Sequence, residues 1–340
     1  MEQAYRFSVA PMMDRTDRHF RVQVRQFSRR CLLYTEMVVA RALHHTLRQR
    51  GAGAEQERRR RLERLLGFDP VERPLALQLG GEDPLQLAEA ARLAADWGYD
   101  EINLNVGCPS EKVRQGRFGA CLMAEPDRVA RCVEAMAAAA PLPVTVKHRI
   151  GIDSRDSFEE LRDFVDTVAA AGARRFAIHA RKAWLNGLDP RQNRTIPPLR
   201  RDLVHRLKRE RPALTIELNG GLQSLPECRD ELTRVDGVMV GRAAYDHPLR
   251  WSGVDAEIFG EGQAAAVRPS RVVRGMAEHA ERWCSRGGSV WPIARPLMNL
   301  VEGVSGARRW RARLGEAASG RGASPEVLWR AARELEEVGL

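Results

Sequence analysis

Strand-like and helix-like patterns alternate eight times before residue 250, and this restricts the fold more than any single motif does. The strand-like runs are RFSVAPMM (6–13), LLYTEMVVA (32–40), LALQLGG (75–81), EINLNVGCP (101–109), PVTVKHRIG (143–151), RFAIHARKA (175–183), LTIELNGG (214–221) and GVMVGRAAY (237–245). Between them, DPLQLAEAARLAADWG (83–98) spaces its apolar residues by three and four and ends in glycine. PDRVARCVEAMAAAA (126–140) opens with a proline suited to a first helical turn. SFEELRDFVDTVAAAG (157–172) opens with a serine cap and acidic residues that complement the helix dipole. Repeated strand–helix units predict a parallel α/β fold. Eight units in about 250 residues match a closed (β/α)8 TIM barrel better than an open doubly wound sheet.

Beyond residue 250 the strand pattern stops. RVVRGMAEHAERW (271–283), PIARPLMNLVEG (292–303) and SPEVLWRAARELEEV (324–338) read as helices. The expected organisation is a barrel domain over residues 1–255 and a small all-helical C-terminal domain over 256–340. LRQRGAGAEQERRRRLERLLGFDP (47–70) reads as a solvated helix of mixed charge. GARRWRARLG (306–315) sets four arginines around one tryptophan. That is either a solvated helix anchored by Trp310 or a surface for a phosphate backbone.

Composition limits the setting and the partner. The net charge is +10, and 51 of the 55 basic residues are arginine, which a biased nucleotide composition explains. The charge itself suits a polyanion. In such a chain a lysine at the end of a strand stands out. Six cysteines form no CxxC pair and suggest neither zinc nor a disulfide framework, so a reducing cytoplasm is expected. No apolar run is long enough to span a bilayer, and MEQAYRFSVA lacks a leader pattern. No histidine–carboxylate arrangement suggests a metal.

In a (β/α)8 barrel chemistry gathers at the C-terminal strand ends. Those ends carry Pro11, Met12 and Met13, then Glu36 and Met37, then Gln78 with Gly80 and Gly81. The fourth carries Asn103, Asn105 and Cys108, the fifth Lys147 and Arg149, the sixth His179 and Arg181. The last two carry Asn219, Gly220 and Gly221, then Gly241 and Arg242. Glycines after strands seven and eight let backbone N–H groups approach a phosphate, with Arg242 adding a charged contact. The Gln78 and Asn105 amides suit the pyrimidine edge of a flavin, and Lys147 suits negative charge on its reduced ring. A lone His179 would read as a core histidine, but here it shares the rim with the lysine. Neither a GxGxxG nor a GxxxxGK[ST] motif is present, so a Rossmann site or P-loop has no support. Cys108, fixed by Pro109 just past an alternating strand, sits where loops carry chemistry.

Jointly, YRFSVAPMMDRTD, YTEMV, LQLGG, DEINLNVGCPS, FGACLM, VTVKHRIGID, IHARKAWLNGLDP, NRTIPPL, NGG and DGVMVGRAAY closely resemble the tRNA-dihydrouridine synthases, most of all the A-type bacterial branch. The likeness runs from about Arg6 to Gly260 and continues more weakly through GARRWR. His148 departs from the pattern, which has a small hydroxyl residue between the lysine and the arginine.

The resemblance implies an FMN enzyme, reduced by NADPH, that converts D-loop uridines at positions 20 and 20a of tRNA to 5,6-dihydrouridine. It implies that Pro11, Met12 and Met13 line the flavin, that Gln78, Lys147 and His179 bind its ring and ribityl regions, and that Asn219, Gly220, Gly221, Gly241 and Arg242 hold its phosphate. Cys108 would be the proton donor; an ordinary thiol is mostly protonated at neutral pH. Asn105, Arg181, Arg191, Arg194, Arg308 and Arg311 would contact tRNA. A monomer is expected. Two alternatives remain: an FMN barrel acting on a small free pyrimidine such as dihydroorotate, and a barrel that only binds RNA.

Overall fold

The computed structural model describes residues 3–51, 53–262 and 266–340. Among the described residues nine parallel strands form eight staves: β1 (Phe7–Val9), β2 (Leu33–Tyr34), β3 (Val38–Val39), β4 (Leu75–Gly80), β5 (Glu101–Val106), β6 (Val144–Arg149), β7 (Arg175–His179), β8 (Thr215–Asn219) and β9 (Gly237–Val240). Their order is β1-β9-β8-β7-β6-β5-β4-β2, with β3 also on β4. A parallel bridge between Ser8 and Leu32 closes the ring, and Val9 N–H donates to Leu32 O at 3.0 Å. The expected TIM barrel is the fold.

Two runs differ from the sequence expectation. LLYTEMVVA is split because the Thr35 hydroxyl, not a carbonyl, accepts the Gln78 N–H (3.0 Å), which interrupts the ladder between β2 and β3. GVMVGRAAY is half strand and half helix: Gly241 leaves the strand conformation and a helix runs over Arg242–Asp246.

The period-two alternation sorts the barrel into two faces. Leu77, Leu79, Ile102, Leu104, Val146, Phe176, Ile178, Ile216 and Leu218 are fully buried in the core shared with the helices Pro84–Asp96, Pro126–Ala139 and Phe158–Ala170. The inner face is small or polar, with Ser8, Ala76, Gln78, Glu101, Asn103, Thr145, Ala177 and Glu217 all buried. Charges placed there are paired across the barrel. Arg175 lies between Glu101 and Glu217 (3.0 Å to Glu217), and Ser8 donates to Glu217 at 2.9 Å.

Helices Pro269–Cys284, Trp291–Leu297, Ala307–Ser319 and Glu326–Glu336 share a second core around Met276, Ile293, Leu297, Trp310, Leu314 and Leu328. Val22, from the barrel helix Arg18–Arg25, inserts into it. His19 Nδ1 meets His279 Nε2 at 2.9 Å, and Arg295 pairs with Asp17 at 2.8 Å. Residue 255 lies within helix Val254–Phe259, whose Val254 and Ile258 belong to the barrel core. The charged excursion contains the helix Ala54–Leu66, of which only Leu66 is buried. Among the described residues no helix is long and apolar enough to cross a membrane.

His148 points outward, between Phe164 (5.0 Å) and Phe176 (5.8 Å), so its departure from the family pattern does not reach the barrel interior. Its Nδ1 donates to Arg149 O at 2.7 Å, while its buried Nε2 has no partner. Burial, with help from the Lys147 charge, lowers its pKa to about 4. Unfolding releases a histidine that takes up a proton below about pH 6.5, so the native state is penalised as pH falls from there toward 4. His19 and His279 are lowered to about 3 and about 4 and act in the same direction. We expect the urea midpoint to drop between pH 7 and 4.5. His148→Leu should remove on the order of 2 kcal/mol of that drop and leave the remainder.

Candidate active site

The backbone that carries Cys108 is held from three sides. At the end of β5 the side-chain carbonyl of Asn105 accepts N–H bonds from Gly107 (3.1 Å) and Cys108 (3.0 Å), which turns the chain off the strand. Ala120 N–H donates to Cys108 O at 2.9 Å. Gly119, at φ +77°, packs so closely that a Cβ would lie 2.5 Å from Cys108 O, and only glycine meets both demands. Arg149 is the third support. Its buried guanidinium donates to Gly107 O (2.9 Å), Lys182 O (3.0 Å) and Asn193 O (3.0 Å), tying the thiol loop to the loop after β7. The Cys108 thiol is half-buried and donates to Ser110 Oγ at 3.5 Å. Cys121 sits in the 3-10 helix Gly119–Ala124, where its thiol donates to Phe118 O and burial raises its pKa.

Lys147 and His179 stand on the neighbouring strands β6 and β7. Lys147 Nζ donates to Asn219 Oδ1 at 3.1 Å, and Asn219 Nδ2 donates to Met239 O at 2.7 Å. Burial, then the charge of Arg149, lowers Lys147 to about 8, so it is still a cation at neutral pH. Burial, then Arg149, Lys147, Arg181 and Arg242, pushes His179 well below the ordinary imidazole range. A neutral imidazole results, with one donor and one acceptor.

In the Asn219–Gly220–Gly221 turn, Gly220 lies directly on His179 and Gly221 on Leu199. Gly220 has φ +117°, and a Cβ there would meet His179 Cδ2 at 2.8 Å. Above Gly241 the space is open, and a Cβ would meet only Ala10 Cβ at 3.8 Å and Met12 Sδ at 3.9 Å. Arg242 is exposed beside it and donates to Arg194 O at 3.3 Å. Burial, then neighbouring cations with Arg242 first, lowers the pKa of both Arg181 and Arg194. Cations that depress one another around a glycine floor favour an anion there.

Pro11 and Met12 are half-buried at the end of β1, and Met13 is 54% exposed. Gln78 is buried, with its amide bonded to Asn103 (2.8 Å) and Asn105 (2.9 Å). It keeps one N–H and one lone pair for a ligand. Arg181 is half-buried against Pro197 O, while Arg191 and Arg194 are exposed on the loop after β7. Arg308 and Arg311 lie on the tail helix Ala307–Ser319, apart from the rim; Arg308 is exposed and Arg311 donates to Val301 O at 2.9 Å. Sequence reasoning placed Arg149 at a strand end without a role, and it missed Gly119 and Asn193. Asn193 is fully buried and braces the Trp184 backbone in both directions (2.8 and 2.9 Å). Gly119 and Asn193 lie in the FGACLM and NRTIPPL stretches of the family likeness, but their partners are backbone atoms, which residue type does not indicate. Among the described residues no three His, Cys, Asp or Glu side chains gather as metal ligands.

The family model for dihydrouridine synthase (Dus) matches residues 8–335. A tRNA-dihydrouridine(20/20a) synthase of Synechocystis sp. is 51% identical over 333 residues, covering 98% of this chain and 95% of that protein. Proteins of the same name from Shewanella oneidensis and Escherichia coli K12 are each 50% identical, covering 95% of this chain and 91% and 89% of theirs. A family match over nearly the whole chain, with relatives of half-identical sequence and similar length, places the chain in the dihydrouridine synthase family.

Proposed function

We propose that this chain reduces the C5=C6 bond of D-loop uridines 20 and 20a in tRNA to 5,6-dihydrouridine, with FMN as its resident cofactor and NADPH as reductant. The observation that carries the reading is the pinned Cys108 thiol on the same rim as Lys147, His179 and the glycine cradle. The tRNA-dihydrouridine(20/20a) synthases that match nearly the whole chain support the substrate.

The residues divide by position. Asn219, Gly220, Gly221, Gly241 and Arg242 would hold the cofactor phosphate. His179, Lys147 and the free N–H of Gln78 would meet the ring and ribityl chain, with Pro11, Met12 and Met13 as the apolar wall. The chemistry such a cofactor supplies, once reduced by NADPH, is a hydride for uracil C6. Cys108 would give its Sγ proton to C5, and its half-exposed sulfur would be reprotonated from solvent. Arg149, Gly119 and Asn105 keep that sulfur in place. Asn105 spends its carbonyl on the thiol loop, so it meets the base only through its remaining N–H.

A uridine in a loop is cheap to extrude, so presenting a splayed base to a barrel mouth is feasible. Arg181, Arg191 and Arg194 would guide the RNA at that mouth, and Arg308 and Arg311 would grip it on the tail. The same proposal includes a barrel domain over 1–255, a tRNA-binding helical domain over 256–340, a monomeric state and a cytoplasmic location.

Cys108→Ala is expected to keep NADPH-dependent reduction of the bound flavin and to lose tRNA-dependent reoxidation by at least about a hundredfold, as removal of a general acid does. Stopped-flow flavin absorbance reads the two half-reactions separately. Blocked flavin reduction with intact tRNA turnover would reverse the assignment. Purified protein should be yellow and release FMN on denaturation; release of FAD would count against the cradle.

Changing Arg308 and Arg311 together to Ala should raise the tRNA KM and flatten its salt dependence by about one unit of slope per lost phosphate contact. Flavin reduction by NADPH should stay normal. Unaltered tRNA affinity across a salt series would remove the tail from the RNA-binding surface.

A further inference from the structure

We infer that Thr145, Asn103 and Gln78 are positioning residues that orient Asn105, and through it the Cys108 loop, from the floor of the barrel. This rests on the reading of Cys108 as proton donor. The Thr145 hydroxyl donates to Glu101 Oε1 at 2.5 Å. Asn103 Nδ2 donates to Thr145 Oγ1 at 2.9 Å, and Gln78 Nε2 donates to Asn103 Oδ1 at 2.8 Å. Asn105 Nδ2 donates to Gln78 Oε1 at 2.9 Å. The last links are the Gly107 and Cys108 N–H groups on Asn105 Oδ1, at 3.1 and 3.0 Å.

Every link donates toward Glu101. A side-chain amide flips easily between its oxygen and its nitrogen, so a row of three amides is ordinarily ambiguous. Here both ends remove the ambiguity. Glu101, paired with Arg175, accepts; the backbone N–H groups of the thiol loop only donate. Turning any one amide over would set oxygen against oxygen and N–H against N–H. The chain is dry along most of its length: Gln78 is 1% exposed, Asn103 0%, Thr145 4% and Glu101 4%. In that setting each bond strengthens the next, and a broken link leaves a buried polar group unpaired. The barrel ladder supplies the geometry, since Gln78 pairs with Asn103 and Asn103 with Thr145 in register. The polar run therefore starts at the first residue of β5 and ends on the backbone of the loop just past its last.

The placement matters because Asn105 has two demands on it. Its carbonyl must face the loop N–H groups to fix Cys108, yet it lies on the half-exposed rim where a bound base would compete for it. The acceptor behind it, Gln78 Oε1, takes the Asn105 N–H and so leaves the carbonyl toward the loop.

The test compares Thr145→Val, which keeps shape and removes the hydroxyl, with Thr145→Ser, which restores it, in FMN-loaded protein. Thr145→Val should leave NADPH-dependent flavin reduction within about twofold and slow tRNA-dependent reoxidation about tenfold, the size of one unpaired buried group. Thr145→Ser should recover most of that loss. Iodoacetamide labelling followed by peptide mass analysis gives a second readout. The labelling rate of Cys108 relative to Cys121 and Cys284 should change several-fold in Thr145→Val alone. Equal effects of Val and Ser, both half-reactions falling together, or unaltered Cys108 labelling would overturn the inference. If Thr145→Val does not fold, Asn103→Ser breaks the chain one link nearer the thiol and is read the same way. Cys108→Ala in the same assay separates the two claims. If it retains the tRNA step, the acid assignment fails, and the labelling rate alone decides the chain.

Discussion

Arg175, held between Glu101 and Glu217 inside the barrel, is the contact on which the interior is organised. A barrel of eight staves must fill its lumen with side chains, and the usual filling is branched aliphatic. Here the lower lumen carries two carboxylates and one guanidinium, with Tyr34 and Ser8 donating to the acids at 3.3 and 2.9 Å. Burying such a group repays little net stability, because desolvation cancels much of the attraction. Its value is directional. Arg175 aligns Glu101 as an acceptor, and an acceptor at that depth sets the sense of every hydrogen bond stacked above it. Burial raises Glu217 as it does other buried acids, and the Arg175 charge and the Ser8 bond oppose that rise.

The upper rim has the opposite problem. Lys147, Arg149, His179, Arg181, Arg194 and Arg242 converge there, and several lower one another's proton affinity. Two cations are used up internally: Arg149 on three loop carbonyls and Lys147 on Asn219. His179 relieves the crowd by being neutral. Arg242 and Arg194 remain exposed, and they are the groups a phosphate would meet first. The +10 net charge is thus partly a local field at the barrel mouth and not only a uniform coat.

Much of this was legible in the chain because the strands alternate so cleanly. EINLNV separates Ile102, Leu104 and Val106 from Asn103 and Asn105, and the structure keeps that division. Gly220 and Gly221 sit at positive φ where the phosphate cradle was expected. The strand ends also bring Cys108, Lys147 and His179 to one rim. What could not be read depends on contacts between distant segments. The split of the second stave comes from the Thr35 hydroxyl taking one ladder bond. The roles of Arg149, Gly119 and Asn193 are bonds or close approaches to backbone atoms, which leave no residue-type signature. Glu101 and Arg175 look like ordinary charges at strand starts and Glu217 like one in mid-strand, and only the closed barrel shows that they share one space. His148 is the contrary case: the alternation in VTVKHR sets it with Val144 and Val146 on the outer face, opposite Lys147.

The tail is tied to the barrel at the same edge that carries the cradle. Asn299 Nδ2 donates to Tyr245 O at 3.1 Å, and Glu302 meets His247 at 2.5 Å. Tyr245 belongs to the short helix that begins at Arg242, immediately after Gly241. On the other side, Val22 and His19 bind the first barrel helix to the tail core, and Asp17, which caps that helix, also pairs with Arg295. The tail therefore grips the elements that follow the first and last staves, whose loops carry Met12 and Arg242.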